Sequence, residues 1–213
     1  MKKPKRQKAL VERGLPIFTS DGRRATSDGF TRDERRATSN GFKVTARKVI
    51  FSKGPIHLVD CDVRLPDGLC ISRQIIEHPG AVVIIPKVGP DKFLLIRQFR
   101  FAARQYLWEW PAGGIEKGEK LADSARRELA EETGFWPKKL ASLFSFYPTP
   151  GISSEVMYLF LAENLIARKA LGDEDERIEV HEFTLEQIDH MIRQEKILDA
   201  KTLLGFYYLK QCG

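Results

Sequence analysis

From residue 42 onward the apolar residues fall into short periodic runs. Residues 43–51 carry Val44, Ala46, Val49 and Phe51, and residues 56–65 alternate through Leu58 and Val59. Alternation at period two marks a strand with one buried face. Pro66-Asp67-Gly68 is a turn signal, and residues 69–77 return as the partner strand, which predicts an N-terminal antiparallel sheet of about three strands. Residues 81–86 read AVVIIP, a continuous apolar run expected of a strand covered on both faces. Strands are also predicted over 92–99, about 108–110, 140–146, 155–162 and 178–183. Good helix formers fill 123–133, and Gly134 stands where a C′ glycine ends a helix. Thr184-x-x-Gln187 is a capping box opening an amphipathic helix over 185–195, with Ile188, Met191 and Ile192 at core spacing. Asp199 is positioned to cap a last helix bearing Leu203, Leu204, Tyr207 and Tyr208. The arrangement that buries all these faces is α/β, a mixed sheet with helices against it.

Charge changes the picture only at one end. Residues 1–48 hold 14 lysines and arginines against 5 acids, or +9, whereas the remainder of this +6 chain is −3. The basic character belongs to the N-terminus, so global charge is no argument for a nucleic-acid partner. That segment repeats RRATSDGF (23–30) as RRATSNGF (35–42) and is poor in large apolar residues, as expected of a mobile extension. The boundaries predicted are an extension over 1–41, the antiparallel sheet over 42–80 and the main domain over 81–213. No apolar run reaches membrane-spanning length. The three cysteines lack CxxC spacing, which fits a reducing, cytoplasmic setting.

The chemistry is concentrated in residues 113–135, GGIEKGEKLADSARRELAEETGF. On a helix, Glu128 and Glu132 project about 40° apart and Glu131 about 60° to the other side of Glu128. Three carboxylates on one face repel and call for a cation among them. Such hard oxygen ligands suit Mg²⁺ or Mn²⁺ better than Zn²⁺. Arg127, four residues before Glu131, can orient a carboxylate. The Ala112-Gly113-Gly114 loop ahead of the helix lets backbone come close to a metal or phosphate.

Written as Gly113-x5-Glu119-x7-Arg127-Glu128-Leu129-x-Glu131-Glu132-x-Gly134, this stretch resembles the Nudix box of metal-dependent hydrolases that cleave a nucleoside diphosphate linked to another group. Arg97-Gln-Phe-Arg100-x3-Arg104 leading to Trp108-Glu-Trp-Pro-Ala-Gly113, the proline at Pro150, and Asp173-Glu-Asp-Glu176 with Ile197-x-Asp-Ala-Lys-Thr-Leu203 are similar to the ADP-ribose pyrophosphatase branch. The likeness covers about residues 43–210. It implies an α/β/α sandwich with the box as loop–helix–loop, and an N-terminal sheet domain-swapped in a homodimer. It implies that Glu128 and Glu132 ligate Mg²⁺, or Mn²⁺ in its place, with Glu131 assisting and the Ala112 carbonyl as a further ligand. Glu119 matches a position more often structural. Arg100 would contact the diphosphate, with Arg104 and Gly113 also at the substrate, and Glu155 would reach the sugar. Trp108, Phe51 and Tyr147 are candidates to stack a base. Glu174 or Glu176, in an acidic loop, would be the catalytic base, with Glu131 and Arg127 as the box's own catalytic groups. The substrate expected is a nucleotide sugar, ADP-ribose first and GDP-mannose or another second. A sensing module without catalysis is the alternative of another class.

Overall fold

The computed structural model describes residues 41–168 and 177–212. The predicted extension over 1–41, Gly41 apart, and the acidic-loop residues Glu174 and Glu176 lie outside the described residues.

Among the described residues, ten strands and three helices follow in chain order. β1 (Lys43–Lys53), β2 (Ile56–Arg64) and β3 (Cys70–Glu77) form an antiparallel sheet in the order β1-β2-β3. β4 (Ala81–Pro86), β5 (Lys92–Arg100), β6 (Gln105–Glu109) and β7 (Ala112–Gly114) lead into α1 (Leu121–Thr133). β8 (Phe135–Phe146), β9 (Met157–Ala167), β10 (Ile178–Thr184), α2 (Leu185–Arg193) and α3 (Ala200–Cys212) complete the fold. The body contains two sheets, a mixed β7-β4-β9-β8 and an antiparallel β10-β5-β6. In the mixed sheet β4 runs parallel to β9, Ala81 facing Met157 through Pro86 facing Ala162.

β4 organises both layers, and every one of its residues is buried. Its even positions, Val82 and Ile84, pack with Ala125 and Leu129 of α1 and with Phe160 and Ala162 of β9. Its odd positions, Val83 and Ile85, pack on the other side with Phe93, Leu95, Trp110, Ile188, Ile197 and Phe206. Side-chain alternation along one strand thus separates α1 from α2 and α3, and the result is an α/β/α sandwich. α3 comes close because Gly205 faces Trp110: a Cβ there would lie 2.6 Å from the indole Nε1. A glycine inside a helix costs about 1 kcal/mol relative to alanine. Here the ring contact it permits is the return.

The local signals act as their chemistry requires. Gly134 adopts φ 73° and caps α1, its N–H donating to the Ala130 carbonyl. At the start of α2, Thr184 and Gln187 make both reciprocal bonds of the capping box. Several boundaries differ from expectation. β6 runs Gln105–Glu109 and not about 108–110, because the hairpin closes tightly enough for Arg100 to pair with Gln105. Residues 112–114, read as a loop for their glycines, pair with β4 as a short strand. β8 begins at Phe135, directly after the helix cap, and β9 extends to Ala167.

A strap over residues 152–154 ties the N-terminal sheet to the body. The Ile76 N–H donates to the Ile152 carbonyl, Ser154 N–H to the Ile76 carbonyl, and His78 N–H to Ser154 Oγ. β1 is exposed along almost its whole length, Val49, Ile50 and Phe51 being 44%, 51% and 60% exposed. Among the described residues no helix is long and apolar enough to cross a membrane.

Candidate active site

The centre of the site is Arg127. The sequence places it one turn before Glu131, and its Nη1 donates to Glu131 Oε2 at 3.0 Å. The same nitrogen donates to Glu128 Oε1 at 2.7 Å. Nε and Nη2 grip Glu119 at 3.0 and 2.9 Å, and Nη2 also reaches the Gly114 carbonyl at 3.0 Å. One guanidinium therefore binds the helix carboxylates, the loop before the helix and β7. Glu119 was not legible as its partner, because eight residues and a loop lie between them.

The fork of bonds from Arg127, helped by a hydrogen bond from Ser124 Oγ, outweighs partial burial and lowers the Glu119 carboxyl to about 2. Glu119 in turn is the main reason the Arg127 guanidinium is raised above its ordinary value. A carboxyl whose folded-state value is depressed contributes stability that is complete above its unfolded value near 4.5 and fades as the pH falls toward 2. Glu119→Gln should therefore cost about 2–3 kcal/mol at neutral pH. The difference from the parent protein should shrink in urea melts repeated between pH 5 and pH 2.5, and a difference constant with pH would refute it.

Glu128 and Glu132 turn toward β7. A Cβ on Gly113 would overlap the Glu128 carboxylate, so only glycine leaves room for it. Glu132, 8% exposed, accepts the Ala112 N–H through Oε2 at 2.9 Å. Glu128 and Glu132 thus meet the Ala112–Gly113 backbone, while Glu131 is held on Arg127 beside Glu128. Among the described residues no three acids, histidines or cysteines stand together as a finished ligand cage. Here the glutamates take up the Arg127 and Ala112 donors. The donor set of carboxylates beside a carbonyl-bearing strand, with a glycine cradle, fits a hard divalent cation.

A second cluster lies at the end of β5 and β6. Arg100 forms a two-pronged pair with Glu109, Nε to Oε1 and Nη2 to Oε2, each at 2.7 Å. Glu109 is 1% exposed, and its other partner is Lys201 of α3, which also donates to Asp199 Oδ1 at 3.0 Å. Burial alone would raise Glu109, but Arg100 and Lys201 prevail and hold it below the usual carboxylate value. Glu109 had no role in the sequence reading. A lone acid between two tryptophans in a strand was the available signal, since such a group must find a buried partner.

The remaining candidates are spread more widely. Arg104 is at the exposed hairpin tip with φ 56°, its N–H donating to the Arg100 carbonyl. Trp108 faces away from Glu109, as neighbours on a strand do, and packs edge-on against His181 and Phe183 at 5.1 and 5.2 Å. With Phe183, His190, Met191 and Lys196 it lines a cavity of about 600 Å³ beside α2. Glu155 is in the strap, 3.6 Å from His78 Nδ1. The base-stacking candidates Phe51 and Tyr147 are exposed.

Residues 77–203 match the NUDIX domain family. The chain is 41% identical to a protein of Bacillus subtilis (strain 168) named ADP-ribose pyrophosphatase, over 79% of this chain and 92% of that one. It is 36% identical, with the same coverage, to a methanol dehydrogenase activator of Bacillus methanolicus. A crystal structure of an ADP compounds hydrolase superposes with a TM-score of 0.70 at 21% identity, covering 79% of this chain and 91% of that one.

Proposed function

The chain belongs to the Nudix family, and from that premise we propose that this pyrophosphohydrolase cleaves the diphosphate of nucleoside diphosphate sugars, converting ADP-ribose to AMP and ribose 5-phosphate. The observation that carries the reading is the complete box running from β7 through α1, in which Glu128 and Glu132 turn onto the Ala112–Gly113 strand while Arg127 ties the helix to its loop. The identity with the Bacillus subtilis enzyme favours ADP-ribose among the sugars.

Nudix hydrolases generally use divalent metal ions. Glu128, Glu131, Glu132 and the Ala112 carbonyl would hold Mg²⁺, which would neutralise the diphosphate oxygens and acidify a bound water. Arg127 fixes the rotamers of Glu128 and Glu131, so that their positions are set before substrate arrives. Arg100, anchored on Glu109, offers its exposed edge to the anionic diphosphate. Glu174 or Glu176 accepts the proton of the attacking water.

The N-terminal sheet is the dimer interface in this reading, as the exposed Val49, Ile50, Phe51 and Ile56 of β1 and β2 suggest. The protein then works in the cytoplasm as a homodimer with a small-molecule substrate, away from membrane and nucleic acid. Mass spectrometry of products from ADP-ribose, GDP-mannose and other nucleotide sugars with Mg²⁺, alongside sedimentation velocity, tests both parts. AMP and ribose 5-phosphate from a dimer are expected. A fully active monomer overturns the assembly. A metal-bound protein that turns over none of the sugars makes it a sensing module.

A further inference from the structure

The segment Asp199-Ala200-Lys201-Thr202 is used for more than starting a helix. Asp199 Oδ2 accepts the Thr202 N–H at 2.9 Å, the N-cap bond of α3, and also the Thr202 hydroxyl at 2.6 Å. The Thr202 hydroxyl oxygen accepts the Trp110 backbone N–H at 2.9 Å, and the Thr202 carbonyl accepts the indole Nε1–H at 3.0 Å. Lys201, with its side chain 8% exposed, spends its ammonium on Glu109 and on Asp199 at 3.0 Å. An ordinary helix start needs the cap alone. A buried lysine aimed at the carboxylate that holds Arg100 serves something else.

Charge counting indicates what that is. Arg100 and Lys201 are balanced by Glu109 and Asp199, so the four side chains are neutral together. Each acid is shared: Glu109 between Arg100 and Lys201, and Asp199 between Lys201 and the α3 cap. Because Lys201 takes up part of the Glu109 charge, Arg100 keeps part of its own for an anion outside the cluster. Arg100 also lies close enough to Glu132 of the box for that charge to act on it.

We infer that Asp199, Lys201 and Thr202 form a latch from α3 onto the end of β6 which sets the position and the available charge of Arg100, making Lys201 a positioning residue for diphosphate recognition. The inference rests on the reading of Arg100 as a diphosphate contact. Lys201→Met removes one positive charge and leaves Glu109 to draw on Arg100 alone. Asp199→Asn keeps a good N-cap residue and removes one negative charge, so Lys201 turns wholly to Glu109 and Arg100 is released. The two substitutions act on recognition in opposite senses, which a general loss of folding cannot do.

The test uses the full chain in steady-state kinetics with ADP-ribose at saturating Mg²⁺. Lys201→Met should raise KM about tenfold with kcat within about twofold, the pattern of lost uniform binding. Asp199→Asn should lower KM by about twofold. In an Arg100→Met background Lys201→Met should add less than about twofold, since two changes acting through one group are not additive. Shifts of KM in the same direction, or an undiminished effect of Lys201→Met without Arg100, overturn the latch. Should the parent protein turn over no nucleotide sugar, the functional reading falls by itself. The latch is then decided by the Arg100 Nε–H resonance, identified by its loss in Arg100→Met. Displacements of opposite sign in Lys201→Met and Asp199→Asn support it, and an unmoved resonance refutes it.

Discussion

Gly113→Ala is expected to lower kcat by about 10²-fold, the scale of an ångström-sized misplacement of a catalytic group. The melting temperature should hardly move. A Cβ at this position falls on the Glu128 carboxylate, the far end of a flexible side chain. The carboxylate is displaced, its bond to Arg127 is strained, and the backbone and core remain as they were. Gly114→Ala is the internal control, because nothing lies within 4 Å of a Cβ placed there. The comparison is made by differential scanning calorimetry and by kinetics over a range of Mg²⁺ concentrations. If the two alanines behave alike, the glycine cradle has no bearing on Glu128.

Removing the catalytic base should act on a different parameter. Either Glu174→Gln or Glu176→Gln, whichever is the base, should reduce kcat by about 10²–10⁴-fold, the usual contribution of general-base catalysis. KM should be almost unchanged, because proton abstraction belongs to the transition state. Glu132→Gln provides the contrast. It keeps the shape and the Ala112 contact but loses a ligand charge, so the Mg²⁺ concentration needed for half-maximal rate should rise as kcat falls. Near-normal kcat in both single loop variants and in the double variant would exclude the loop. The base would then be Glu131, whose carboxylate already lies on Arg127.

What could be read in the sequence was whatever is encoded locally. The AVVIIP run fixes β4 as a strand buried on both faces, and Thr184-x-x-Gln187 marks a helix start, because both depend on residues a few positions apart. Gly134 is legible for the same reason: a left-handed cap suits glycine wherever the rest of the chain goes. The short strand Ala112–Gly114 was hidden, since its pairing with β4 is decided by tertiary contact and its glycines suggest a loop. In the site, the three box glutamates could be placed on one helical face by counting. The pairs Glu119–Arg127 and Glu109–Lys201 could not, as they join residues on different elements and no periodicity links them. Lys201 was visible within its motif, but the sequence attached no partner to it. Only the position of α3 against Trp110 shows its surroundings to be dry.

The parallel pairing of β4 with β9 also dictates an order of events during synthesis. β4 lacks this neighbour until the ribosome has released β8 and β9, well after the box helix itself. At about 5–20 residues per second the apolar AVVIIP strand waits for several seconds with an open edge. Over that interval α1 can rest on Val82 and Ile84 but not on Phe160 and Ala162, which have not arrived. Distant pairings of this kind are the slow ones in folding. The glutamate helix therefore gains its full seat only in the step that closes the sheet, and a nascent chain stopped short of β9 would carry every residue of the box with no finished surface to hold it.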